Sequence, residues 1–62
     1  MNLIAETRYK LNYNKNNLES LLETDTSKLT KDAKHYINDE ITKAKRNVEY
    51  YEEIIKVLEE RN

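Results

Sequence analysis

From Asp32 onward the apolar side chains fall at positions 37, 41, 44, 48, 51, 55 and 58, an unbroken alternation of four and three. A period-two strand cannot produce this spacing, whereas a helix with one buried stripe does. With Ile41 at heptad position a, the a positions read Lys34, Ile41, Val48 and Ile55, and the d positions Ile37, Ala44, Tyr51 and Leu58. Opposite charges four apart support the exposed faces: Asp39 with Lys43, Lys45 with Glu49, Glu52 with Lys56, and Lys56 with Glu60. The pattern predicts a helix over about 30–60, started by Ser27 or Thr30 as the residue that accepts a hydrogen bond from an orphan N–H of the first turn.

The amino-terminal segment repeats the logic more weakly. Ile4, Leu11 and Leu18 are seven apart, and Thr7, Asn14 and Leu21 take the companion positions, which predicts a helix over about 2–24. Asn12, Asn14, Asn16 and Asn17 are poor helix formers, and Asn16 precedes Glu19 at the spacing of a capping box. Two readings follow. Either the helix breaks near Asn16, or it continues and places Asn14 on the seam, where a buried Asn sets register and oligomeric state at a cost in stability. Continuity is the reading adopted. Thr24, Asp25, Thr26 and Ser27 carry short side chains that compete for backbone hydrogen bonds, so the connection falls near residues 24–29.

The fold class expected is all-α: an antiparallel two-helix hairpin, one domain over 1–62. For a turn centred near residue 27 or 28, Leu18 faces Ile37, Leu11 faces Ala44 and Ile4 faces Tyr51, and the second helix then overhangs by about eight residues, roughly 12 Å. Ile55 and Leu58 would lie beyond the reach of the first helix, with Tyr50, Ile54 and Val57 as a second apolar stripe beside them. A lone hairpin with one shared seam recovers too little burial to offset the ordering of its chain. The expected assembly is therefore a homodimeric four-helix bundle, with a permanent heterologous partner as the alternative, and the expected interface is Tyr50, Tyr51, Ile54, Ile55, Val57 and Leu58.

Composition narrows the classes. The 62 residues contain no Gly, Pro or Cys, which argues against an all-β domain, a Rossmann or P-loop site, a disulfide framework or a thiolate metal site. A reducing compartment fits. Leu, Ile and Val total 14 residues, slightly above the roughly 20% below which disorder is expected, and the formal charge is −1, so the helical pattern decides in favour of folding. No apolar run approaches the roughly 20 residues of a membrane span, and MNLIAETRYK lacks the basic and apolar regions of a secretory leader, so no membrane association and a cytoplasmic location are expected. The abundance of Lys, Asn, Ile and Tyr matches AT-rich coding, as in a phage or low-GC bacterium.

Candidate chemistry is sparse. His35 has Asp32 three before it and Asp39 four after it, which places three potential metal ligands near one face, but zinc sites usually gather four ligands and a lone His among carboxylates is ordinary helix surface. No cofactor is expected. No nucleophile, acid–base set or phosphate loop can be assembled, so the chain is not read as an enzyme. Lys28, Lys31 and Lys34 recur every three residues and Lys43, Lys45 and Arg46 form a second basic group, yet acids interrupt both, and 11 basic against 12 acidic residues is far from the balance of a nucleic-acid-binding domain. The five tyrosines stand without Phe or Trp. Tyr51 lies on the seam, Tyr9 and Tyr13 on the side of the first helix away from Leu11, and Tyr36 and Tyr50 flank the second, positions suited to contacting a partner. The function expected is a small non-enzymatic interaction module (inhibitor, adaptor or assembly factor) that docks a helix face on a partner protein. A dimeric nucleic-acid-binding regulator and a purely structural oligomerisation module are the alternatives. No set of residues matches a family position by position.

Overall fold

The computed structural model describes residues 2–61 as two helices, α1 (Leu3–Glu23) and α2 (Lys31–Glu60), packed side by side. Each begins at a side-chain cap. Asn2 Oδ1 accepts from the Ile4 and Ala5 amides at 2.9 and 3.4 Å, and Thr30 Oγ1 accepts from the Ala33 amide at 3.2 Å. Glu6 and Asp32 place a carboxylate in each first turn, where the helix dipole favours negative charge. Of the two caps expected for α2, Thr30 is used. Ser27 instead donates its amide to Asp25 Oδ1 at 3.0 Å, and the Leu29 amide bonds to the Thr26 carbonyl at 3.1 Å, so residues 24–30 form a structured linker. α1 ends where Thr24 turns extended, its amide donating to the Leu21 carbonyl and its hydroxyl to the Ser20 carbonyl.

α1 runs unbroken through the four asparagines. Each costs helix propensity, up to about 0.7 kcal/mol relative to Ala. A break there would rotate Leu18 and Leu21 off the stripe that carries Leu11, whereas continuity keeps all three on the side facing α2. The Asn14 amide nitrogen donates to the Lys10 carbonyl at 2.7 Å, which satisfies it locally.

The seam contains the expected residues in a different register. Asn47 Nδ2 donates to Asn14 Oδ1 at 3.2 Å, and Arg8 Nη2 pairs with Glu59 Oε1 at 2.9 Å. A tight turn at 27 or 28 would have set Asn14 level with about residue 41 and Arg8 with about residue 47. The short asparagine pair implies a shift of about six residues, close to one heptad, and the Arg8–Glu59 pair, spanning two long side chains, is displaced further in the same direction; a one-heptad shift brings Leu18 level with Ala44, Leu11 with Tyr51 and Ile4 with Leu58. The physical reason is the linker: seven residues, 24–30, separate the helices, long enough that the reversal need not fall at their midpoint. The overhang expected at the carboxyl end of α2 is therefore at its amino end, and Ile55 and Leu58, expected to lie uncovered, are half-buried beside α1.

The molecule is a rod of 49 × 15 × 14 Å, its length set by the 30 residues of α2 at about 1.5 Å each. Burial is thin. Among the described residues Ala44 (3% exposed), Thr7 (5%) and Leu11 (9%) are buried. Thr7 is tolerated because its hydroxyl donates to the Leu3 carbonyl at 2.7 Å within its own helix.

Candidate interaction surface

The two cross-helix links mark the two flanks of the seam. At about 100° per residue, Arg8 and Asn14 lie about 120° apart around α1, and Glu59 and Asn47 are separated likewise around α2. On the Arg8–Glu59 flank the exposed positions are mostly charged, with Lys15 and Glu19 on α1 and Lys34, Lys45 and Glu52 on α2, and Leu22, 59% exposed, as an apolar exception near the linker end. The Asn14–Asn47 flank is different. It carries Leu3 and Leu21 on α1 and Tyr36, Tyr50, Ile54 and Val57 on α2, with two ion pairs, Glu6 with Lys10 at 3.7 Å and Glu40 with Lys43 at 3.8 Å, while Asp32 and Asp39, about five turns before Tyr50 and Val57, project in the same directions toward the linker end.

The apolar residues of that flank gather at the end holding both termini. Leu3 is 57% exposed, Tyr50 59% and Val57 48%, with half-buried Ile54 between the last two. Tyr50, Glu53, Ile54, Val57 and Leu58 line an open groove of about 280 Å³. Its floor is stiffened by Tyr50 standing edge-on to Tyr51, ring centroids 5.3 Å apart at 64°. The six residues expected at an interface therefore divide. Tyr51, Ile55 and Leu58 turn toward α1 and are half-buried, while Tyr50, Ile54 and Val57 form the outward stripe. Leu3, exposed at the same end of the molecule, was not among them.

The other tyrosines are apart from the groove. Tyr9 and Tyr13 are exposed on α1, and with Lys10, Asn14 and Tyr51 they border a second hollow of about 370 Å³. Tyr36 is exposed near the linker end. The basic residues do not form one patch: Lys28 is in the linker, Lys31 and Lys34 are exposed on the first turns of α2, Lys43 is paired with Glu40 and shares a face with Arg46, and Lys45 projects about 160° away from Lys43. Asp32, His35 and Asp39 are exposed, and no group of three or more His, Cys, Asp or Glu among the described residues is placed to hold a metal ion. Asp25 is the titratable group with a displaced pKa: the Ser27 amide first, and its hydroxyl second, hold the carboxyl below its ordinary value. Among the described residues no helix is long and apolar enough to cross a membrane.

The chain exposes more surface than its size requires. A compact protein of 7.5 kDa exposes about 4,200 Å² by the usual mass scaling, and this one exposes 5257 Å², roughly 1,000 Å² more. That surplus is similar to the ~800 Å² each partner contributes to a standard interface.

Comparison with protein-family models, curated proteins and solved structures returned no match.

Proposed function

We propose that the protein is a non-enzymatic interaction module whose hairpins pair into a homodimeric four-helix bundle and present a tyrosine-bearing helix face to a partner protein. The observation that carries this reading is the surplus of exposed surface, coincident with an apolar groove at the terminal end of a molecule that has three buried residues among those described. A core this small leaves little net stability, so burial between chains supplies what burial within the chain does not. Tyr9 and Tyr13 are exposed on α1 around a hollow they share with Asn14 and Tyr51, and supply the rigid amphipathic contacts that favour recognition of another protein. The scattered lysines favour no nucleic-acid reading.

Sedimentation equilibrium of the full chain across the micromolar range tests the assembly, with a dimer expected and a folded monomer refuting it. The partner face is tested by capture from source-cell extract: Tyr9→Ala with Tyr13→Ala should abolish capture while leaving helicity and association unchanged. Capture that survives the double substitution places the partner elsewhere. Binding to DNA or RNA that falls steeply with salt would replace the reading with the nucleic-acid alternative.

A further inference from the structure

α2 carries two seams. The first, through Ile41, Ala44, Val48, Tyr51, Ile55 and Leu58, is used by α1. The second runs through Lys43, Asn47, Tyr50, Ile54 and Val57, again alternating four and three, and among the described residues Tyr50 and Val57 in its carboxyl half stay exposed. A four–three alternation is the spacing that lets two parallel helices interlock knobs into holes.

We propose that this second seam packs on the same seam of a second copy about a two-fold axis running along the rod, with Leu3 at its margin, so that the termini of both chains lie at one end of the dimer. The inference rests on the homodimer reading above and adds its face and orientation.

A second copy is the occupant favoured by three observations. The surplus of roughly 1,000 Å² is similar to one chain's share of a standard dimer interface. A two-fold contact sets a surface against itself, so it must not repel itself. The terminal half of this flank meets that condition, since its stripe of Tyr50, Ile54 and Val57 is uncharged and Glu6 pairs with Lys10 in place. The chain's own burial is also too small to hold it folded far from a partner, and a second copy is the partner present wherever the chain is made.

The orientation follows from where the apolar residues lie. On this flank they concentrate in the terminal half. An axis perpendicular to the rod at its middle, where the two rods overlap fully, would place Tyr50, Ile54 and Val57 against Tyr36, Glu40 and Lys43 of the other copy, desolvating an ion pair under an apolar stripe, and one shifted to Ile54 would leave the linker halves of the rods without overlap. An axis along the rod places the stripe on itself and leaves Glu40 and Lys43 toward the more polar half.

The chain contains no Cys, so single-cysteine variants report position cleanly. Sedimentation and air-oxidation rates are measured together on full-length Val57→Cys, Tyr50→Cys and Glu19→Cys, with circular dichroism confirming that each is helical. In the proposed dimer Val57 and Tyr50 each meet their own counterpart, so both variants should cross-link on the order of a hundredfold faster than Glu19→Cys, because adjacent thiols experience a millimolar local concentration against a micromolar bulk one. A dimer in which neither exceeds Glu19→Cys overturns the proposed face while leaving the homodimer intact. Preferential disulfides between Val57→Cys and Tyr36→Cys chains in an equimolar mixture overturn the orientation in favour of the perpendicular axis. A folded monomer overturns both the proposal and the reading it rests on.

Discussion

Ala44 is the most buried of the described residues, at 3% exposure, and it sits where α2 approaches α1 level with Leu18. A methyl group there lets two helices approach within the usual 8–10 Å between axes. Replacing it with Leu puts an isobutyl group into that contact. Burial of the added carbons would be worth up to about 2 kcal/mol if space existed. A close helix–helix contact has no such space, and overpacking of this kind typically costs about 1–3 kcal/mol through displaced side chains and backbone. Leu is nearly as good a helix former as Ala, so propensity contributes little to the difference. Ala44→Leu should therefore destabilise by about 1–3 kcal/mol, which for a domain of this size lowers Tm by roughly 4–24 °C. The assay is thermal melting by circular dichroism at matched chain concentration, because association makes Tm concentration-dependent. Ala5→Leu, at an exposed position of α1, is the control and should stay within about 0.5 kcal/mol of wild type. An unchanged or raised Tm for Ala44→Leu would refute the reasoning, since it would mean that the helices do not meet at Ala44.

Thr30→Ala removes the hydroxyl that caps α2 and should cost about 1 kcal/mol in urea unfolding, while Thr30→Ser should be close to neutral. Arg8→Ala or Glu59→Ala breaks an ion pair whose members are both more than half exposed, so each should cost no more than about 1 kcal/mol, and the cost should shrink in high salt. The Asp25 carboxyl has its pKa lowered by folding, so its contribution is present above the unfolded value of 3.8 and lost as pH falls through the folded value. Carboxyl titration by NMR should place Asp25 below 3.8, and Ser27→Ala should raise it only in part, because the Ser27 amide, the larger cause, remains.

The helices and their ends were legible because they depend on local chemistry. The four–three alternation selects helix over strand at every heptad, and the observed bounds of α1 and α2 lie within a residue of the spans expected from it. Thr30 was one of two hydroxyl residues at the right place to cap α2, and the choice between them turned on Asp25, which engages Ser27 in a turn of its own. The asparagines were ambiguous by propensity alone. Their resolution came from tertiary packing, since Leu18 and Leu21 reach α2 only if α1 continues past Asn16. The candidate surface was legible in its Tyr50–Ile54–Val57 stripe, which is a property of one helix. It was not legible in Leu3, whose neighbours are decided by the register between helices.

That register could not be read from the apolar pattern, because a seam that repeats every seven residues looks the same after a slip of seven. Leu11 finds a compatible partner in Ala44 or in Tyr51, and Ile4 in Tyr51 or in Leu58. The degeneracy is broken by polar residues. In the tighter register Asn14 would lie level with Ile41, where its amide finds no cross-helix partner, and Glu59 would extend past the end of α1. In the observed register Asn14 meets Asn47 and Arg8 meets Glu59, one link on each flank. The exposed ion pair contributes little energy, and the asparagine pair forfeits the burial that two leucines would give, so neither is explained by stability. The asparagine pair acts on selection: Asn14 and Asn47 reach each other in this register and not one heptad away, which is the use of a seam asparagine in helical assemblies. The same choice sets exposed Leu3 level with the last turns of α2, at the end of the hairpin that carries the Tyr50–Ile54–Val57 stripe.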